Sequence, residues 1–122
     1  MKKRMNKISK WDARWLEVAS MVSTWSKDPS TQIGAIAVKD KRLVSTGYNG
    51  FPRGIEDLDD RWNNREEKYK YVVHAEMNCI YNANYHNQSL KGSTMYIVGL
   101  PVCHECAKGI IQAGVVRVVA EF

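Results

Sequence analysis

The sequence predicts an α/β fold in which helices cover a mixed four-stranded sheet, with an antiparallel first hairpin and parallel later strands. Three observations predict it. Apolar residues recur at helical spacing in separate segments, and four short runs rich in β-formers alternate with them. The resulting order is helix, strand, strand, helix, strand, helix, strand, and its last two crossovers suit parallel strands with helices packed on the sheet.

The first helix is read over Trp11 to Trp25, where Trp11, Trp15, Val18, Ala19, Val22 and Trp25 share helical spacing. Ser9 and Asp12 resemble a capping box at its start. An aromatic stripe at this spacing is expected to be core packing, not a base-stacking platform. Pro29 ends the segment, because it lacks a backbone donor and pushes Asp28 away from helical torsions.

Ile33 to Val38 and Leu43 to Tyr48 are the first two strands, joined through the polar Lys39-Asp40-Lys41-Arg42 as a hairpin. Residues 47–54, Gly-Tyr-Asn-Gly-Phe-Pro-Arg-Gly, concentrate turn formers, so the backbone there is an ordinary turn or a loop that a ligand approaches closely. Residues 55–70 are dominated by charges of both signs and read as an exposed insertion. A second helix runs from Val73 to about Tyr85, with His74 and Glu76 in its first turn, Cys79 as a small core residue, and Ile80, Tyr81 and Ala83 on a buried side. Thr94 to Gly99 is the third strand. A third helix starts near His104 and ends at Gly114, and Val115 to Ala120 is the fourth strand.

A chain of 122 residues with 44% hydrophobic content is sized for one domain. Residues 1–10 read as a basic tail and 11–122 as that domain. The chain stops just after the fourth strand, where many such sheets continue, so a C-terminal helix and strand are expected to be missing. No apolar run is long enough to span a bilayer and none follows the basic start, which argues for a soluble, cytoplasmic protein with no membrane partner. The net charge is +5, but five of the eighteen basic residues lie in the first ten positions. Residues 11–122 hold thirteen basic and thirteen acidic side chains, a neutral body that disfavours nucleic acid as a partner.

Three cysteines leave one unpaired in any disulfide scheme, and Cys103 and Cys106 form a Cys-x-x-Cys pair. With His74, twenty-nine residues before Cys103, they supply one imidazole and two thiolates, the three ligands of a zinc kept open for catalysis. Helix N-termini favour both thiolates through their dipoles. Glu76 lies beside this set and can take a proton from a water that zinc acidifies to a pKa of about 7. A structural zinc site completed by His86, His104 or Cys79, a redox pair, and a site without metal are the competing readings.

His-x-Glu followed by a proline near Cys-x-x-Cys resembles the signature of the zinc nucleobase and nucleotide deaminases. Within them, four blocks resemble the deoxycytidylate (dCMP) deaminase family in its order: residues 26–30, 47–54, 71–78 and 106–114. Together they extend the likeness over roughly residues 11–120. One departure stands at Val102, where the family usually has proline directly before the first cysteine; here Pro101 lies one position earlier.

The resemblance implies a three-layer α/β/α sandwich of the cytidine deaminase type. It implies Zn2+ held by His74, Cys103 and Cys106, and Glu76 as the catalytic acid and base in converting dCMP to dUMP and ammonia, which supplies dUMP for thymidylate synthesis. Ala75 would hold the base through its backbone and Asn49 would contact the sugar, with Lys27 and Arg53 as candidates for the phosphate. It also implies a homo-oligomer, a hexamer, controlled by dCTP and dTTP. The alternatives are deamination of dCTP, deoxycytidine or single-stranded nucleic acid, and an inactive zinc-stabilised assembly module.

Overall fold

The computed structural model describes residues 8–122, and the basic tail read over residues 1–10 falls largely outside them. Helix α1 spans Lys10–Ser23, strands β1 and β2 span Gly34–Lys39 and Arg42–Tyr48, and helices α2, α3 and α4 span Asp59–Asn63, Arg65–Tyr71 and Ala75–Tyr85. Strand β3 spans Thr94–Val98, helix α5 His104–Gln112 and strand β4 Arg117–Glu121. Among the described residues, no helix is long and apolar enough to cross a membrane.

The strands form one sheet in the order β2-β1-β3-β4. β1 is antiparallel to both β2 and β3, while β3 and β4 are parallel. Strands β2, β3 and β4 therefore run in one direction, as the helical crossovers require, and β1 runs against them. The β1–β2 hairpin turns at Asp40 and Lys41, whose φ values of 52° and 60° give the paired left-handed conformation of a two-residue turn that matches strand twist.

Period-two alternation sorts residues into two cores. Ala35 and Ala37 of β1 join Met95, Ile97, Ala75, Cys79, Ala83 and Ile110 under α4 and α5, while Ile36 and Val38 join Leu16, Ala19, Val22, Tyr96 and Val119 under α1. The result is a three-layer α/β/α arrangement. Small side chains let the helices approach closely. A Cβ on Gly34 would meet the Ala19 carbonyl oxygen at 2.2 Å, and one on Gly47 would meet the Cys79 backbone nitrogen at 2.2 Å, so α1 and α4 are seated directly on strand backbone.

The capping box exists: Ser9 Oγ accepts from the Asp12 amide at 3.0 Å, and the Ser9 amide donates to Asp12 Oδ2 at 3.3 Å. Asp12 also accepts from Tyr96 Oη at 2.6 Å and from both ends of the Arg117 guanidinium, at 2.9 and 2.6 Å. This ties α1 to β3 and β4. Arg117 holds the Asp12 carboxyl far below its ordinary value against the opposing effect of burial, and burial with the Asp12 bond pushes Tyr96 up to about 12.

The tryptophan stripe differs from the sequence expectation. Trp11 and Trp25 are 40% and 51% exposed, because the face of α1 that meets the sheet is Leu16, Ala19 and Val22. Tyr81 is likewise exposed, although Cys79 and Ala83 on the same helix are buried as expected. The 55–70 insertion is not uniformly exposed either. It folds as α2 and α3, and Trp62 is buried in a stack on Phe51 with ring centroids 4.1 Å apart.

Candidate active site

The site forms where the starts of α4 and α5 meet beside the sheet. His74 is the N-cap of α4 with extended torsions, so it precedes the helix and does not lie in its first turn. This places its ring beyond the helix end. Cys103 is the N-cap of α5, and its Sγ accepts from the Cys106 amide at 3.4 Å.

His74 Nδ1 lies 3.3 Å from Cys106 Sγ and 3.5 Å from Cys103 Sγ, and the three donor atoms are all within 4.8 Å of one another. A tetrahedral zinc with ligands at about 2.0–2.3 Å needs donors separated by roughly 3.5 Å, so one imidazole and two thiols fit it. Among the described residues no fourth His, Cys, Asp or Glu joins the group. The donor set therefore suits an open site better than a closed structural one. Cys79 lies outside this group: it is buried on the sheet-facing side of α4, where its Sγ donates to the Ser45 carbonyl at 3.6 Å.

Glu76 lies in the first turn of α4 and is 4% exposed. Burial raises its pKa, partly offset by its own backbone amide and by His74. Burial, with Glu76 next, also pushes the Cys106 thiol upward. A divalent cation reverses that cost by stabilising thiolate. Ala75 is fully buried as the first residue of α4, a position whose amide has no intrahelical partner. Val102 packs half-buried against the core beneath α4 and α5, so it takes a definite place in the loop before Cys103.

The remaining expected site residues are placed differently. Asn49 is 4% exposed and its amide is engaged at both ends: Oδ1 accepts from the Ile33 amide at 2.9 Å, and Nδ2 donates to Asp28 Oδ2 at 3.1 Å and to the Thr31 carbonyl at 2.9 Å. Its loop reaches the site through Gly50, whose backbone pairs with Val73 in both directions at 3.2 and 2.8 Å, immediately before His74. Lys27 is exposed and pairs with Asp57 at 3.3 Å. Arg53 donates to Asn82 Oδ1 and lies 3.9 Å over the Tyr85 ring, in a cleft of about 320 Å³ that Tyr48, Phe51, Asp57 and Asn78 also line. The side-chain hydrogen bonds of these two cations go to Asp57 and Asn82, not to His74, Cys103 or Cys106.

Asp28 and Lys68, which are not among the expected site residues, hold the Asn49 loop through a 2.9 Å ion pair. In the sequence Asp28 is marked by its place before Pro29 and within the 26–30 block, while Lys68 is one charge in a run of many.

The model of the cytidine and deoxycytidylate deaminase zinc-binding region matches residues 9–122. The chain is 44% identical over 111 residues to an uncharacterized deaminase in the luxG 3' region of Aliivibrio fischeri, covering 91% of this chain and 72% of that one. It is 40% identical over 123 residues to human deoxycytidylate deaminase, covering 96% of this chain and 67% of the human one. Its fold superposes with a TM-score of 0.74 on the cyanophage S-TIM5 dCMP deaminase solved with dCMP and dUMP, at 29% identity, covering 88% and 78% of the two chains.

Proposed function

The chain belongs to the cytidine and deoxycytidylate deaminase family, and from that membership we propose that it hydrolyses dCMP to dUMP and ammonia. One observation carries the reading: an open three-donor cluster with a buried carboxylate beside it, in a chain 40% identical to a deoxycytidylate deaminase.

His74, Cys103 and Cys106 would hold the zinc. When bound, zinc supplies a Lewis acid that acidifies water at neutral pH. Glu76 is the proton carrier. Its carboxyl is buried beside the three donors, where it can take a proton from water and carry it without losing it to bulk solvent. It passes that proton to ring nitrogen three as the water's oxygen adds to ring carbon four, and it then carries the proton of the new hydroxyl to the amine, so the carbon–nitrogen bond breaks and ammonia leaves as the carbonyl forms. One water adds and one ammonia leaves, so the reaction balances without a redox partner. The Ala75 amide, at the start of α4, is the group proposed to hold the base. Asn49 borders the sugar; with its amide engaged at both ends, it contributes by holding the loop in shape.

Lys27 and Arg53 are the cations proposed for the phosphate. The exposed Lys27–Asp57 pair is worth little, so its release toward a phosphate costs little. A single catalytic domain over residues 11–122, a cytoplasmic setting, assembly as a hexamer and control by dCTP and dTTP complete the proposal. Chain length supports the single domain, and the resemblance of the four sequence blocks supports the hexamer and its effectors.

Ammonia release across dCMP, dCTP, deoxycytidine and a cytosine oligonucleotide, with and without dCTP as effector, tests the substrate. We expect dCMP to be turned over fastest. An oligonucleotide that outruns dCMP overturns that choice, and protein with one zinc per chain that releases no ammonia from any of them is an assembly module.

A further inference from the structure

The Asn49 loop is held by a buried polar node that joins three segments distant in the chain. Asp28 Oδ1 accepts from Lys68 Nζ at 2.9 Å and from the amides of Ser30 and Thr31 at 2.8 and 3.3 Å. Asp28 Oδ2 accepts from Asn49 Nδ2, and Ser26 Oγ donates to the Asn49 carbonyl at 2.8 Å. The Lys68 and Asp28 side chains are only 13% and 5% exposed. Burial alone would raise the Asp28 pKa, but Lys68 and the two amides outweigh it and hold the carboxyl below its ordinary value.

A buried ion pair is weak evidence for stability, since desolvating both charges offsets their attraction. Position is what this pair supplies. Lys68 belongs to α3, whose C-cap Val72 leads straight into Val73 and His74. Asn49 adjoins Gly50, which pairs with that same Val73. The pair thus clamps both ends of one short bridge, the Asn49–Gly50 loop on one side and the chain entering His74 on the other.

Resting on the dCMP reading above, we infer that Lys68 and Asp28 are positioning residues that align the Asn49 loop against the His74–Glu76 turn. They touch neither the metal donors nor the reacting atoms. Lys68→Met keeps stem length and removes the charge, Lys68→Arg keeps the charge, and Lys68→Met/Asp28→Asn restores charge balance without the clamp.

Each variant is measured well below its own unfolding midpoint for zinc content, kcat and KM on dCMP, and hydrogen exchange at the Gly50 and Val73 amides. We expect one zinc per chain throughout and kcat/KM lower by at least about tenfold in Lys68→Met and in the double variant. Amide exchange at Gly50 and Val73 should be at least about tenfold faster in both, and Lys68→Arg should return to within about threefold of the original protein. A double variant with undiminished kcat/KM and unchanged exchange overturns the inference. So does failure of both Lys68→Met and the double variant to fold, which makes the pair a folding determinant. If the unmodified protein does not turn over dCMP, the functional reading fails and amide exchange alone decides this one.

Discussion

Replacing Gly47 with alanine should move α4, the helix that carries the proposed proton carrier, without replacing any proposed site residue. A Cβ at Gly47 would stand 2.2 Å from the Cys79 nitrogen, 2.5 Å from the Ala75 carbonyl oxygen and 2.8 Å from the Asn78 carbonyl carbon. All three are backbone atoms of α4, and ordinary contact begins only at 3.4 Å. No rotamer change relieves the clash, so α4 must lift from β2 by about 1 Å or β2 must bend away. Overpacking of this kind costs about 1–3 kcal/mol, and a displacement of about 1 Å at a catalytic group costs about 100-fold in rate. The lifted end carries His74 and Glu76. We therefore expect kcat on dCMP to fall about 100-fold and the thermal midpoint to drop by roughly 5–15 °C, with zinc content measured alongside. A Gly47→Ala protein with kcat within about threefold of the original and an unchanged midpoint would refute the direct seating of α4 on β2.

Asp12 supplies a pH prediction. Its native pKa lies below the unfolded value of 3.8, so its stabilisation is complete above that value and is lost as pH falls below it. Urea midpoints should decline between pH 5 and pH 2.5 in the original protein and more shallowly in Asp12→Asn, which at pH 7 should be less stable by about 2 kcal/mol through weakened bonds to Arg117 and Tyr96; parallel pH profiles would contradict the assignment. Cys103→Ala removes one metal donor and the cap on α5, so zinc content and thermal midpoint should fall together. Retention of one zinc per chain in that variant would exclude Cys103 as a ligand.

The metal donors were legible because zinc imposes local spacing: two cysteines three positions apart, and a histidine and glutamate two apart at a helix start. The fold class followed from alternation that the structure keeps, with Ala35 and Ala37 on one face and Ile36 and Val38 on the other. Periodicity could not say which side of α1 would be buried, because its tryptophans and its aliphatic residues overlap in spacing, and smaller side chains took the close contact with β1. Nor could it show that β3 pairs with β1, since that neighbour relation is set across the chain. Long-range polar contacts were the least legible. Asp12 meets Arg117 across 105 positions and Asp28 meets Lys68 across 40, and neither partner carries a local mark of the pairing. The same holds for Asn49: its glycine-rich loop reads equally as an ordinary turn, its sugar contact is implied only by the family resemblance, and nothing local marks the bonds its amide makes to Asp28 and Ile33.

Glu76 is the proposed proton carrier beside the His74, Cys103 and Cys106 donors. Glu76→Gln keeps the shape and removes the proton acceptor, so ammonia release from dCMP by the two proteins at equal zinc content isolates that role. We predict a retained fold, one zinc per chain and turnover lower by at least about 100-fold. Turnover within about threefold of the original, at the same zinc content, would contradict the account.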